Sequence, residues 1–316
     1  MSDQTITHYG FLLIPGFSLV ALSCAIDALR AANAEVGKPY FDWALISENG
    51  FPVPSSSGIE LHCNRLEDSN YVDTVAVCGG DNSHSFYSVR IEQWLKMQAR
   101  KNKNIGAISD GSFIVAACGL FDNCRSTIHW KCQNAYRERF ANLDIRMSII
   151  EVEENRFSCA GGTSSLDLMF NFFAKTLNLA TIGRIADNFF HDKIRSVEDM
   201  QPVTSGYMYA GRNAKLSKAL VIMATHLEAL ISIKQIAAQL SISHRQLDRL
   251  FLRQFDKSPH QYYREMRLDR AAGLLRQTEL SVNEIALGCG FHSSSHLSKF
   301  FKLRYRTTPL GHRIAG

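Results

Sequence analysis

The chain has 316 residues, of which 46% are hydrophobic, and a formal net charge of +5. It contains no apolar run of about 18 residues, which argues against a helix that spans a membrane. Because Met1–Thr5 show no basic stretch leading into an apolar one, we also expect no signal peptide, and therefore a cytoplasmic protein without a membrane partner.

The first 190 residues alternate short apolar runs with helix-like segments. The runs suited to buried strands are Tyr9–Ile14, Trp43–Ile46, Thr74–Val77, Ile105–Ile108 and Ser148–Val152. The helix-like segments are about Leu19–Asn33, Val89–Ala99, Trp130–Phe140 and Leu166–Leu179. This alternation predicts a parallel sheet covered on both faces, as in a flavodoxin-like three-layer α/β domain.

Glycines follow several predicted strands, where α/β proteins place their binding loops. The motifs there are Leu13-Ile14-Pro15-Gly16-Phe17, Cys78-Gly79-Gly80, Ile108-Ser109-Asp110-Gly111, Thr127-Ile128-His129-Trp130 and Cys159-Ala160-Gly161-Gly162-Thr163. With these motifs the region resembles the ThiJ/PfpI class of the glutamine-amidotransferase-like superfamily, in the form fused to AraC-type regulators (the GlxA group). The resemblance implies a domain that binds a small effector and mediates formation of a homodimer.

The position of the superfamily's catalytic cysteine is occupied by Ser109. The resemblance places the acidic partner of that nucleophile near Ala21, which has no carboxylate. A serine without a base stays protonated and weakly nucleophilic, so the sequence predicts a degenerate elbow and no enzyme. The alternative is a serine hydrolase or amidase that uses Ser109 in a loose G-x-S-x-G motif, with His129 as the base.

We expect the effector site beyond the carboxyl ends of the strands. Acidic and aromatic side chains there suit a small cation, and backbone N–H groups at the elbow suit a carboxylate, so a quaternary amine or an amino acid is the predicted effector. The predicted ligand-binding residues are Phe17, Gly80, Asp81, Ser109, Asp110, His129 and Trp130. Eight scattered cysteines show no zinc-binding spacing, so we expect no metal and no cofactor.

Residues 191–213 mix charged residues with Pro, Ser and Gly and are predicted to be a linker. The charge balance changes after it. Residues 214–316 carry 16 Lys and Arg against 7 Asp and Glu, whereas residues 1–213 carry 19 against 23. The excess positive charge therefore lies on the last third of the chain, as attraction to DNA phosphates requires.

That last third contains an internal repeat. The segment Ser232–Ala237 reappears 49 positions later as Ser281–Ala286, and each copy leads through a turn into a second helix-like segment. Ser232 with Gln235, and Ser281 with Glu284, are spaced to close capping boxes. The repeat predicts an all-α domain at 214–316 with two helix-turn-helix units that read successive sites on DNA.

In both copies the second helix should bury Leu and Phe side chains and turn donor side chains outward. Such donors bind phosphates and base edges. The predicted DNA-binding residues are Arg245, Gln246, Arg249, Arg253, Ser295, His296, Lys299 and Lys302.

Residues from about Leu216 to Arg313 resemble the DNA-binding domain of the AraC/XylS regulators. The resemblance rests on Arg267–Leu275, Gly290-Phe291, Ser295, Ser298, Phe301-Lys302, Thr308-Pro309 and Arg313. One departure is Arg306, where that family has glycine before the Thr-Pro step. The resemblance implies a regulator of transcription that binds double-stranded DNA and, as an activator, contacts RNA polymerase. A ligand-independent dimeric DNA-binding protein remains the second alternative.

Overall fold

The computed structural model describes residues 6–201 and 213–314, which form two compact units. The first comprises the described residues through His129 together with Phe140–Gln201. The second comprises Trp130–Arg139 and the described residues from 213 onward. The first unit thus extends past the predicted boundary at residue 190, and residues 202–212 of the predicted linker lie outside the described chain.

The first unit is built on a seven-stranded sheet in the order β10-β11-β7-β6-β1-β2-β5. Its strands are β1 (Thr7–Leu13), β2 (Phe41–Ser47), β5 (Asn64–Arg65), β6 (Thr74–Cys78), β7 (Asn104–Ile108), β10 (Ile150–Glu153) and β11 (Arg156–Cys159). Two small ribbons pair β3 (Val53–Pro54) with β4 (Glu60–Leu61), and β8 (Arg125–Ser126) with β9 (Asp144–Ile145). The helices are α1 (Leu19–Val36), α2 (Val89–Arg100), α3 (Ser112–Ala117), α5 (Ser164–Phe173) and α6 (Leu179–Asp187).

The predicted α/β fold is confirmed, with one correction to the sheet. Strand β10 runs antiparallel to β11, whereas the sequence predicts a parallel sheet. Only Glu154 and Asn155 separate the two strands, and a connection that short allows a hairpin but no crossover. Strand β1 lies inside the sheet between β6 and β2, and Phe11 and Leu12, on its opposite faces, are both fully buried.

The second unit is helical. It contains α4 (Gln133–Arg139), α7 (Ala214–Thr225), α8 (Ile233–Gln239), α9 (His244–Phe255), α10 (Pro259–Gln277), α11 (Val282–Gly288), α12 (Ser294–Tyr305) and α13 (Pro309–Ile314). Helices α8 and α9 form the first helix-turn-helix unit, α11 and α12 form the second, and α10 lies between them in the chain. No helix among the described residues is long and apolar enough to cross a membrane.

The predicted helix starts are confirmed. The Ser232 hydroxyl accepts the Gln235 N–H at 3.2 Å, and the Ser281 hydroxyl accepts the Glu284 N–H at the same distance. In both copies the side chain at the third position also accepts the N–H of the capping serine, which completes the box. Each such cap stabilises its helix by about 1 kcal/mol.

Both second helices of the repeat end at a residue with left-handed backbone geometry, Asp256 with φ +53° and Arg306 with φ +59°. We expect Arg306→Gly to raise the free energy of unfolding of the second unit by about 1 kcal/mol, because a Cβ is unfavourable at this φ. Thermal denaturation of the full chain measures the change. Arg306→Ala removes the same charge and keeps the Cβ, so it should give no such gain; an equal gain with alanine would contradict the explanation.

Candidate nucleic-acid interface and effector crevice

Helix α9 presents a row of arginines. Leu247 and Phe251 are fully buried and pack one face of the helix against the rest of the second unit. Arg245, Arg249 and Arg253 recur every four residues and are exposed. The nearby carboxylate of Asp248 pairs with His244 at 2.9 Å. The exposed guanidinium groups are thus arranged along one helix face, as contact with a groove of DNA requires.

Gln246 is exposed, but its side chain already has a structural role. The Ser243 N–H donates to Gln246 Oε1 at 2.9 Å, which closes a further capping box at the start of α9. Bidentate recognition of adenine needs both the oxygen and the amide nitrogen of a glutamine. Gln246 in this conformation therefore offers DNA its amide nitrogen.

Helix α12 differs from α9 in the residues it turns outward. Ser295, Lys299 and Lys302 are exposed, as the sequence predicts. His296 is half-buried, with ring centroids 5.7 Å from Phe291 and 5.2 Å from Phe300. The imidazole of His296 thus also makes ring contacts within its own unit, and its contact with DNA stays a prediction.

The pKa of His296 is lowered, first by burial and then by electrostatic interaction with His292 and Arg267. Both effects favour the neutral imidazole. The ring also packs between α12 and the turn before it.

In the first unit the elbow geometry is retained at Ser109. This residue follows β7 directly, has φ +56° and is only 7% exposed. A Cβ at Gly161 would lie 2.6 Å from the Ser109 Cβ, so glycine is required beside the elbow. Among the described residues, no histidine or carboxylate is hydrogen-bonded to the Ser109 hydroxyl. Ala21, at the expected acidic position, is fully buried in the core of the unit.

The loops after β1, β6 and β7 are packed tightly together. The Gly79 N–H donates to Ile108 O at 3.1 Å, and the Ser18 N–H donates to Gly79 O at 3.2 Å. A Cβ at Gly80 would lie 1.9 Å from Gly16 O, which leaves no space between these two loops. At these positions the three loops contact one another through their backbones.

The predicted ligand-binding residues are only partly brought together. Asp81 is exposed, Asp110 is buried beside the elbow, and His129 is half-buried in the first unit. Phe17 is fully buried within the hydrophobic core, where its ring packs as a core side chain. Trp130 groups with the second unit.

A cavity of about 230 Å³ opens at the carboxyl ends of β1 and β2. Its walls include Pro15, Glu48, Phe51 and Phe86. Glu48 Oε1 accepts a hydrogen bond from the Ser88 hydroxyl at 2.7 Å, and no Lys, Arg or His is among the lining residues. The sequence did not point to this cavity, since Glu48 and Phe86 are distant in the chain.

A buried carboxylate organises the residues that follow the last helix of the first unit. The Asp167 side chain has 0% exposure and contacts His191 Nε2 at 2.9 Å and Arg195 Nη2 at 2.6 Å. The Arg195 N–H also donates to Asp167 Oδ1 at 2.7 Å. Further along, Gln201 is buried, and its amide donates to Thr127, Ile128 and Ser148. Residues 191–201, predicted to be linker, are thus bound to the first unit.

Comparisons with known proteins agree with both units. The DJ-1/PfpI family profile matches residues 10–174, and a helix-turn-helix domain profile matches residues 236–313. The HTH-type transcriptional regulator GbdR of Pseudomonas aeruginosa is 32% identical over 305 residues, covering 96% of this chain and 83% of GbdR. The regulator GlxA of Rhizobium meliloti is 32% identical over 309 residues, covering 97% and 95%.

Solved structures show the fold of the first unit. An AraC family transcriptional regulator from Pseudomonas putida aligns with a TM-score of 0.54 and 20% identity, covering 58% of this chain and 99% of that one. Drosophila melanogaster DJ-1beta aligns with a TM-score of 0.51 and 16% identity, covering 59% and 98%. At these identities the likeness concerns fold alone.

Proposed function

Because the chain belongs to the HTH-type transcriptional regulators that join a DJ-1/PfpI domain to an AraC-type helix-turn-helix domain, we propose that it activates transcription in response to a small metabolite. It is a DNA-binding regulator. The observation that carries the proposal is the pair of capped helices, α9 and α12, with exposed Arg and Lys side chains on the positively charged part of the chain. The proposed readers of DNA are Arg245, Gln246, Arg249, Arg253, Ser295, His296, Lys299 and Lys302.

The partners that go with this role are also proposals. A cytoplasmic homodimer would place two DNA-binding units on a promoter, and an activator would then contact RNA polymerase. Selection of duplexes from a random DNA pool by the purified full chain, followed by a reporter carrying the selected sequence, tests the proposal. Failure to enrich any sequence would contradict specific DNA binding, whereas enrichment with a repressed reporter would contradict activation alone.

We propose the 230 Å³ cavity as the place where a small organic cation or zwitterion binds. Glu48 supplies the only charge among the residues lining it, and Phe51 and Phe86 supply aromatic rings of the kind that contact methyl or methylene groups. The cavity wall is held in place because the Gly16 N–H donates to Pro54 O at 2.8 Å. The crevice residues Gly80, Asp81, Ser109, Asp110 and His129 form the alternative location.

A titration separates the two locations. Betaine, carnitine and amino acids at millimolar concentration should raise the melting temperature of the full chain. Glu48→Gln should lower the affinity for the stabilising compound about tenfold, because it removes one charge from a partly desolvated site. Asp81→Asn is the matched control and should change the affinity little. A larger loss of affinity in Asp81→Asn than in Glu48→Gln would place the effector in the crevice. Stabilisation by an anion alone would contradict the proposal that the effector is a cation or zwitterion.

We propose that Ser109 performs no hydrolysis. Its hydroxyl has no base within hydrogen-bond distance among the described residues, so it remains a weak nucleophile. Ser109→Ala should therefore leave effector-dependent reporter transcription unchanged within about twofold. A covalent adduct formed at Ser109 by a fluorophosphonate probe, or turnover of an ester that this substitution abolishes, would support the hydrolase alternative.

A further inference from the structure

Two carboxylates one turn apart on α10 bind the end of the second recognition helix, α12. Arg304 Nη2 lies 2.8 Å from Asp269 Oδ1, and Arg304 Nη1 lies 2.9 Å from Glu265 Oε2. The Tyr305 hydroxyl donates to Asp269 Oδ1 at 2.5 Å. The last turn of α12 is thereby fixed to the middle of α10 by a planar guanidinium that spans both acids.

One of these carboxylates also binds the first helix-turn-helix unit. Lys257 follows the left-handed residue that ends α9, and its Nζ lies 2.6 Å from Glu265 Oε2. A single oxygen of Glu265 thus accepts a hydrogen bond from Lys257 and forms an ion pair with Arg304. Burial alone would raise the pKa of Glu265, but the hydrogen bond from Lys257 and the charge of Arg304 outweigh that effect and lower it. Glu265 is therefore ionised where it joins the two halves.

The shared carboxylate holds together two groups that otherwise repel each other. Lys257 and Arg304 are both cations, and each lies within 3 Å of the same oxygen. Without the negative charge between them, their repulsion would favour a wider separation. The two groups sit at the ends of α9 and α12, so a small displacement there moves both recognition helices.

One buried apolar cluster belongs to the first half of this unit, where it joins α7, α8 and α9 to the start of α10 at Tyr263. Among the described members of this cluster there is no residue of α12. Helix α12 has its own buried side chains, Leu297 and Phe301. The link between α12 and α9 therefore runs through α10, and the ion pairs of Glu265 and Asp269 are part of that link.

We propose that Glu265 is a positioning residue that sets the distance between the two recognition helices, and therefore the number of base pairs between the two sequence blocks that the protein selects. The inference rests on the proposed use of α9 and α12 as readers of DNA. Glu265 itself touches no base. Its role is to make one spacing favourable and the neighbouring spacings unfavourable.

Selection from a random duplex pool by the full-length protein tests this proposal. The wild type should enrich two blocks with one fixed gap. Glu265→Gln should keep both blocks, spread the gap over neighbouring values, and bind the wild-type spacing roughly tenfold more weakly. Lys257→Gln removes only the link to the first half, at a half-buried position that keeps the Glu265 carboxylate, so it gives the same test should Glu265→Gln fail to fold.

Glu228→Gln is the matched control. It removes the same charge from the same unit, but among the described residues its carboxylate pairs only with Arg270, at 3.7 Å. The control should keep the wild-type gap. An unchanged single gap in folded Glu265→Gln or Lys257→Gln protein, or an equal spread in Glu228→Gln, overturns the inference. Failure of the wild type itself to select two blocks would instead contradict the proposed reading of DNA by both helices.

Discussion

Replacement of Arg245 and Arg249 together by alanine should weaken binding to the selected operator by about 100-fold. Both side chains are exposed on one face of α9, four residues apart, while Leu247 and Phe251 hold the other face. Each arginine that reads a guanine contributes roughly 1–3 kcal/mol, so the loss of two exceeds the effect of any other pair on this surface. Gel-shift titration of the full chain against operator and scrambled duplexes measures the loss.

The pattern of the loss identifies the role of these arginines. Operator affinity should fall much further than affinity for the scrambled duplex, since contacts with bases depend on the DNA sequence and contacts with phosphates do not. Replacement of exposed Arg100 and Lys101 in the first unit lowers the net charge equally and should leave operator affinity nearly unchanged. Equal losses on both duplexes would reassign the arginines to phosphate contacts. An unchanged operator affinity would remove α9 from the interface.

Replacement of Asp167 by alanine should destabilise the first unit by about 3–5 kcal/mol. The carboxylate is fully buried and accepts from His191 and from two groups of Arg195, so its removal leaves these donors without their partner. The loss should be concentrated in residues 191–201, which this carboxylate holds. Hydrogen exchange of that segment, together with the first melting transition of the full chain, measures the change.

Asp187 provides the control for this prediction. It is exposed at the end of α6, and Asp187→Ala should change stability by less than about 0.5 kcal/mol. If Asp167→Ala left the exchange of residues 191–201 as slow as in the wild type, the carboxylate would not be what binds that segment.

Local patterns in the sequence were sufficient to predict much of the fold. The serine and the acceptor three residues later define the start of α8 and α11, and both caps form as predicted. The long apolar runs become β1, β2, β6 and β7, and the run in β6 is continuous because this strand is buried on both faces. The outward arginines of α9 follow from helical periodicity once Leu247 and Phe251 are recognised as buried.

Tertiary contacts decided what the sequence pattern missed. Phe17 follows a strand, as a ligand-binding residue does, yet its side chain enters the core. Asp167 meets its partners 24 and 28 positions later, a separation at which no periodicity operates.

The same distinction applies to the cavity and to the short strands. Strands of two residues, such as β3 and β5, carry too few side chains for an alternating pattern. The cavity walls come from loops after different strands, and only the folded sheet brings Glu48 near Phe86. A sequence read along one segment at a time therefore locates the recognition helices better than it locates the effector.

The grouping of Trp130–Arg139 with the second unit has a consequence for the newly made chain. Gln277 Nε2, on α10, lies 2.9 Å from Cys132 Sγ, and the two residues are 145 positions apart. At roughly 5–20 residues per second, the ribosome needs on the order of ten seconds to reach one after the other. During that interval Ala135 and Tyr136, which are buried in the finished protein, have no α10 to cover them. An incomplete chain that ends before α10 would therefore expose the apolar side chains of this helix. Chaperones and proteases bind such exposed segments.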